Sequence, residues 1–257
     1  MRADGFRMFT DVHLGAGSRS PPGANVTVAR TSTQRVGTMR QIFEAELTQL
    51  GDDLAAMSRL VEHAITNAGI ALLTADLQLA ETVIADDVAI DAIERDLDER
   101  CVHLLAQQQP VATDLRVVVS ALRMSSTLER MGDLARHIAQ VARRSYPRVA
   151  VPNALSGTFT EMHEAAVRVA KRTTAVLTTR DLEVAQSIER DDDLLDALHA
   201  DTFTALLGVG WNGNPQETVD VTLLGRYYER FGDHGVSVAR RVTFLVTGTF
   251  EDTRAGR

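Results

Sequence analysis

Glu129 and Asp133 stand four residues apart in a stretch of helical pattern, and Glu229 and Asp233 repeat the arrangement 100 residues later. On a helix, residues four apart share a face. Each pair therefore offers two carboxylates at a spacing that suits one hard cation. A second acidic set, Asp87, Asp91, Glu94 and Asp98, falls within the angular range of Val83, Ile84, Ile90 and Leu97. Carboxylates seldom enter a packed face without partners. Further along the chain this set becomes Asp192, Asp196, His199 and Phe203, with less charge and an imidazole. The candidate metal ligands are thus Asp87, Asp91, Glu129, Asp133, Asp192, Asp196, Glu229 and Asp233, and oxygen donors of this kind suit Mg2+, Mn2+, Fe or Zn2+. Ion pairing across helices competes for the same acids, through Arg116, Arg123, Arg130, Arg136, Arg226 and Arg230. Gly132 and Gly232 sit inside the acidic motifs, where each costs about 1 kcal/mol relative to Ala. Close approach of a neighbouring helix is the plain compensation, and access of an ion to the acids the functional one.

The elements that must carry these groups follow from periodicity. Phe43, Leu47, Leu50, Leu54, Met57, Val61, Ala64 and Ala68 alternate spacings of four and three, the seam of a long bundle helix. Further helices are expected at about 76–108, 112–145, 156–179, 181–207 and 216–247, with breaks at Pro110 and at Pro147 to Pro152. The order is duplicated. Asp87, Asp91 and Pro110 recur as Asp192, Asp196 and Pro215, shifted by 105, and Glu129 to Asp133 recur as Glu229 to Asp233, shifted by 100. The third helices also share an apolar stripe: Ala121, Met124, Leu128, Met131, Ala135, Ile138 and Ala142 match Val221, Leu224, Tyr228, Phe231, Gly235, Val238 and Val242. These are core-packing residues.

The expected fold is all-α: six long helices as two tandem three-helix bundles, each able to close its own core. Residues 1–38, rich in Gly and Pro without sustained periodicity, read as a disordered extension; 39–146 and 154–248 are the repeats and 249–257 a tail. A net charge of -8 opposes nucleic-acid binding, and Cys101, alone, has no disulfide partner, which fits a reducing compartment. No apolar run reaches the roughly 20 residues of a membrane span and no secretory signal is evident, so a cytoplasmic protein is expected.

Gln109-Pro110-Val111-Ala112-Thr113-Asp114-Leu115-Arg116 resembles the Q-P-V-A-x-D-L-R segment of PhoU proteins, and Leu128 to Asp133 resembles their L-E-R-I-G-D. Gly225 to His234 is similar to the second-copy A-R-Y-L-E-R-I-A-D-H of the same family. The resemblance spans about Met39 to Val246. It implies two three-helix bundles, a homodimer, and E/D-x-x-x-D motifs that hold metal clusters in some members. It also implies a role: relaying phosphate sufficiency from a Pst-type phosphate ABC transporter to a PhoR-type sensor kinase, with repression of the phosphate-starvation response. The loop at Pro110 is then a partner surface, with Gln109, Thr113 and Arg116 as its candidate residues.

The chain departs from the family where later turns carry Asn and Glu. It has His137 and Gln140 in the first copy, and Ser237 and Arg240 in the second. Arg240, near Asp233 in sequence, is expected to replace an ion there and make the second site the weaker. A ferritin-like oxidase or metal store is the rival reading, but that class needs Glu-x-x-His on two helices, and Asp196-x-x-His199 is the nearest imitation. His163-Glu164 as a phospho-accepting pair has no nucleotide-binding domain behind it, and no nucleophile elbow is present. The expected protein is a regulator and not an enzyme.

Overall fold

The computed structural model describes residues 26–249, which form six α-helices and one short 3-10 turn. They are α1 (Val26–Thr74), α2 (Leu77–Gln108), α3 (Ala112–Ser145), α4 (Ser156–Thr179), α5 (Leu182–Leu207) and α6 (Pro215–Thr247). The fold class is the expected one. Of the expected extension at 1–38, residues 1–25 lie outside the described residues, and from Val26 the chain is already helical, upstream of the expected start at Met39. A helix whose nucleus is held by packing extends cheaply, because each added residue gains a backbone bond. Periodicity does not register such turns.

Local chemistry sets the ends. Asp76 caps α2 by accepting from the Leu79 N–H, and Asp181 caps α5 by accepting from the Glu183 N–H. Asn214 and Glu217 form a reciprocal capping box at α6, with Pro215 in its first turn. Gln109 stops α2 in a left-handed conformation (φ 44°), one residue before Pro110.

The stripe read from α1 is buried at Leu47, Leu50, Leu54, Met57, Val61 and Ala68. The seven matched positions of α3, and the seven of α6, are all buried. These faces meet in one continuous core that runs through both repeats, rather than a separate core in each unit as expected. The reason is that α3 packs on α6 and α1 on α4 as well as on helices of their own repeat. Both cross-repeat pairs are antiparallel. Arg144 of α3 meets Asp220 at the start of α6 (2.6 Å), His137 stacks on Tyr227 (5.2 Å between centroids), and Arg116 lies over Phe244 at the end of α6. In α1–α4, Glu62 accepts from Thr174 Oγ1 at 3.1 Å, and the ring of His163 presses on Gly69. The turns after α2 and after α5 therefore lie at opposite ends, while both acidic motifs lie near the middle. Helices α2 and α5 flank the central four.

Tyr228 replaces the Leu128 of the first repeat and is fully buried, with no hydrogen-bond partner for its hydroxyl. An orphaned buried hydroxyl costs more than the apolar ring that would replace it. Tyr228→Phe should therefore raise stability by about 1 kcal/mol, read as a higher urea midpoint at unchanged slope. A lower midpoint would mean the hydroxyl has a partner in solution.

Candidate functional site

The acidic motifs lie on two equivalent seams, α2–α3 and α5–α6. In the first, Asp87 is 7% exposed and Gly132 faces it across the seam. A Cβ at Gly132 would come within 2.9 Å of Ile90 and 3.6 Å of Asp87 Oδ1, so the glycine permits the close approach. Arg136 then sets its guanidinium between the helices. Its Nε lies 2.9 Å from Asp87 Oδ2, an ion pair without hydrogen-bond alignment, and its Nη2 donates to Asp133 Oδ1. Arg130 adds contacts of 3.2 Å to Asp133 and 3.4 Å to Glu129. Burial, and then the neighbouring Asp133 charge, push the Glu129 carboxyl up to about 7. Burial also raises Asp87, against the pull of Arg136.

The second seam has the same backbone and different charge. Asp192, 7% exposed, packs so closely on Gly232 that a Cβ there would overlap its Oδ1. That oxygen has no hydrogen-bond donor. Where the first copy has Arg136, the second has Val236, buried among apolar groups. Arg226 donates to Glu229 Oε1, which leaves Glu229 Oε2 buried and without a donor. Burial first, then the charges of Asp196, Asp233, Asp193 and Glu229, push the Asp192 carboxyl up to about 7. Arg240, expected to stand in for an ion beside Asp233, instead pairs with Glu189 at 3.2 Å. The tethered cation belongs to the first copy, in Arg136. His199, the counterpart of Glu94, packs its ring on Phe203 (5.0 Å) and beside Gly225. Its Nε2 is buried without a partner.

Among the described residues no group of three or more His, Cys, Asp or Glu side chains stands ready to hold a metal ion. In the first seam a guanidinium already answers Asp87 and Asp133. The donor set there does not fit a cation unless Arg136 leaves. In the second seam the oxygens that a hard cation requires are present, two of them orphaned, but they are not drawn together. Asp191, also buried in α5, is not part of this set: Arg168 holds it at 2.9 Å and Arg172 donates to it as well.

Comparison with known proteins gives this geometry a family. The model of the PhoU domain matches twice, over residues 54–142 and 159–242, one match in each repeat. The chain belongs to the PhoU family. It is 44% identical to phosphate-specific transport system accessory protein PhoU homolog 2 of Mycobacterium tuberculosis, over 82% of this chain and 100% of that one. It is 43% identical to the PhoU homolog 1 of Mycobacterium leprae, over 85% and 99%. The crystal structure of PhoU from Pseudomonas aeruginosa superimposes with a TM-score of 0.70 at 29% identity, covering 80% of this chain and all of that one.

Relative to the PhoU motifs, the structure redistributes several residues singled out from sequence. Thr113 accepts from Arg116 Nη2 at 3.1 Å, and Arg116 also lies over Phe244, so these two tie the start of α3 to the end of α6. Gln109 occupies the left-handed turn beside them. His163 is packed on Gly69 with Nδ1 buried, which gives it a packing role in place of the exposed position a phospho-acceptor needs. Arg136 was foreseen only as one of six arginines, and Val236 not at all. Aligning the repeats carries the signal: the third residue after each motif's Asp is Arg in one copy and Val in the other.

The raised Asp192 carboxyl makes a pH prediction. In the unfolded chain it ionises near pH 3.9, whereas in the fold it holds its proton up to about 7. Between these values the folded state keeps a proton that the unfolded chain has released, so stability falls as pH rises through that window and then levels. In chelator-treated protein, Asp192→Asn should flatten this slope and raise the thermal midpoint at pH 8. An unaltered slope would show that Asp192 is not the uncompensated group.

Proposed function

We propose that this PhoU-family chain is an accessory regulator of phosphate uptake. In this reading it links a Pst-type phosphate ABC transporter to a PhoR-type sensor kinase, and it holds down both transport and the phosphate-starvation response when phosphate is plentiful. The observation that carries the reading is the match of both repeats together with relatives whose names assign them to the phosphate-specific transport system, aligned over their full length. The helical body agrees with an adaptor. Among the described residues no helix is long and apolar enough to cross a membrane, so contact with membrane-bound partners goes through protein surfaces. The acids serve packing, ion pairs and cation binding, and the chain contributes no catalysis of its own, working as a homodimer at the cytoplasmic face.

The turn after α2 is the proposed partner surface. Val111 there is 74% exposed and Leu115 40%, beside Gln109, Thr113 and Arg116. Apolar groups left in water at the tip of a rigid bundle are suited to docking.

Deletion of the gene, in a strain without other family members because some relatives occur as paired homologues, should switch on phosphate-starvation genes in high phosphate. Continued repression would overturn the regulatory reading. The triple variant Gln109→Ala, Thr113→Ala, Arg116→Ala should lose at least tenfold in co-purification with the transporter ATPase or the kinase while keeping its helical circular-dichroism signal. Full retention of both partners would remove this surface and leave the deletion result to stand by itself.

A further inference from the structure

Helices α3 and α6 pack antiparallel in a register that repeats every seven residues. Arg144 meets Asp220, His137 stacks on Tyr227, and at the far end a Cβ at Gly248 would lie 2.8 Å from Arg116 Nη1. The steps between set Arg130 opposite His234 and Arg123 opposite Arg241. The charge of Arg130 accordingly acts on His234, and that of Arg123 on Arg241. Seven residues are two turns, so Arg116, Arg123 and Arg130 follow one another at about 10.5 Å along one edge of α3. No acid interrupts them: α3 carries none from Leu115 to Leu128, and α6 none from His234 to Thr247. In a chain with 35 acidic side chains against 27 basic, packing has laid two acid-free stretches side by side.

Arg123 is exposed, Arg116 and Arg241 are half-buried, and among the described residues neither Arg116 nor Arg123 pairs with an acid. Guanidinia stay charged at physiological pH. Those of Arg123 and Arg241 therefore repel each other across the seam, and burial followed by this repulsion holds Arg241 below its usual value. The band is also bounded. Asp114 precedes it, and at its inner end Glu129 and Asp133 answer Arg130.

We propose that this cationic band receives an acidic helix of a protein partner, laid along the α3–α6 groove with Glu or Asp at every seventh residue. A third helix in the groove between two others presents its own i, i+7 positions at the same spacing of about 10.5 Å, so its carboxylates meet Arg116, Arg123 and Arg130 in turn. Arginine suits the task, because its planar fork grips a carboxylate through two parallel bonds. At the outer end the band runs into the exposed Val111 and Leu115 of the turn after α2, and Val246 of α6 is 46% exposed, which offers apolar contact to the same helix. A polyphosphate or nucleic-acid chain carries charge far more densely than the arginines are spaced, and it would run past them onto Asp114, Glu129 and Asp133. Few charges, widely and regularly set, match the band.

The inference adds a partner chemistry beside the turn after α2 and stands on the charge of the seam, so a failed deletion phenotype leaves it untouched. The test is fluorescence anisotropy of the full-length chain with a labelled helical peptide of Ala and Gln that carries Glu at every seventh position. A second peptide of the same composition has its Glu residues adjacent. The wild type should bind the spaced peptide at least tenfold more tightly than the clustered one, and more weakly as salt rises. Arg123→Glu should lose at least tenfold, whereas Arg59→Glu, exposed on α1, should bind as the wild type does. A spaced peptide with Lys in place of its central Glu should recover binding to Arg123→Glu, which a merely structural role for Arg123 would not produce. Equal binding of the two peptides, no binding at all, undiminished binding by Arg123→Glu, or no recovery by the Lys peptide would each overturn the inference. So would tighter binding of polyphosphate or of phosphatidylglycerol vesicles than of the spaced peptide. Where Arg123→Glu does not keep the helical circular-dichroism signal, Arg123→Gln should show the same loss.

Discussion

Helices α3 and α6 each carry two different faces on one cylinder, and the molecule is arranged around that double demand. One face is the apolar stripe, Leu128 and Met131 in the first copy and Tyr228 and Phe231 in the second, and it enters the shared core. The other turns from apolar to acidic and meets a flanking helix. A helix that is apolar on one side and acidic on another can satisfy both only if it is central, with the core behind it and a partner helix along its acidic edge. Antiparallel packing of α3 on α6 meets that demand for both copies at once. It also sets the acidic seams on opposite flanks, near the middle of the body, where burial is sufficient to make an unpaired carboxylate costly.

Duplication supplied the two seams and divergence has since treated them differently. In the first, ion pairing dominates: Arg136 and Arg130 between them reach Asp87, Glu129 and Asp133. In the second, Arg226 reaches only one oxygen of Glu229, and Asp192 is left to desolvation. Asp87 and Asp192 are equally exposed, and the two seams differ in how their carboxylates are compensated. Gly132 and Gly232 make both arrangements possible, since a side chain at either would push the flanking helix and its aspartate away. The mid-helix glycines are thus explained by close packing.

The residues of the proposed partner surface have a structural role of their own. Arg116 over Phe244 and Thr113 beside it hold the first turn of α3 against the last turn of α6, across the repeat boundary. The same contacts fix the exposed Val111 turn in one orientation. A docking surface gains from such rigidity, because little conformational freedom is left to lose on binding.

The amino-acid sequence by itself determined the helices, their repeat and their buried faces, because a 3.6-residue period and the capping residues are local properties that tertiary contacts here reinforce. The stripes through Met57, Leu128 and Tyr228 were legible for that reason, and so were the helix start near Asp76 and the break at Pro110. The same sequence placed eight carboxylates on four helices, two on each, and the motif around Glu129 was sufficient to suggest the family. Tertiary structure decided how those carboxylates are neutralised. Six arginines lie within reach by helical spacing, yet only the distance and rotation between α2 and α3 bring Arg136 to Asp87, while between α5 and α6 Arg240 goes to Glu189. It also decided that the two repeats share one core, since periodicity says that a face is buried but not against which helix. Interhelical geometry is non-local, and the charge balance of a buried seam depends on it to within an ångström or two.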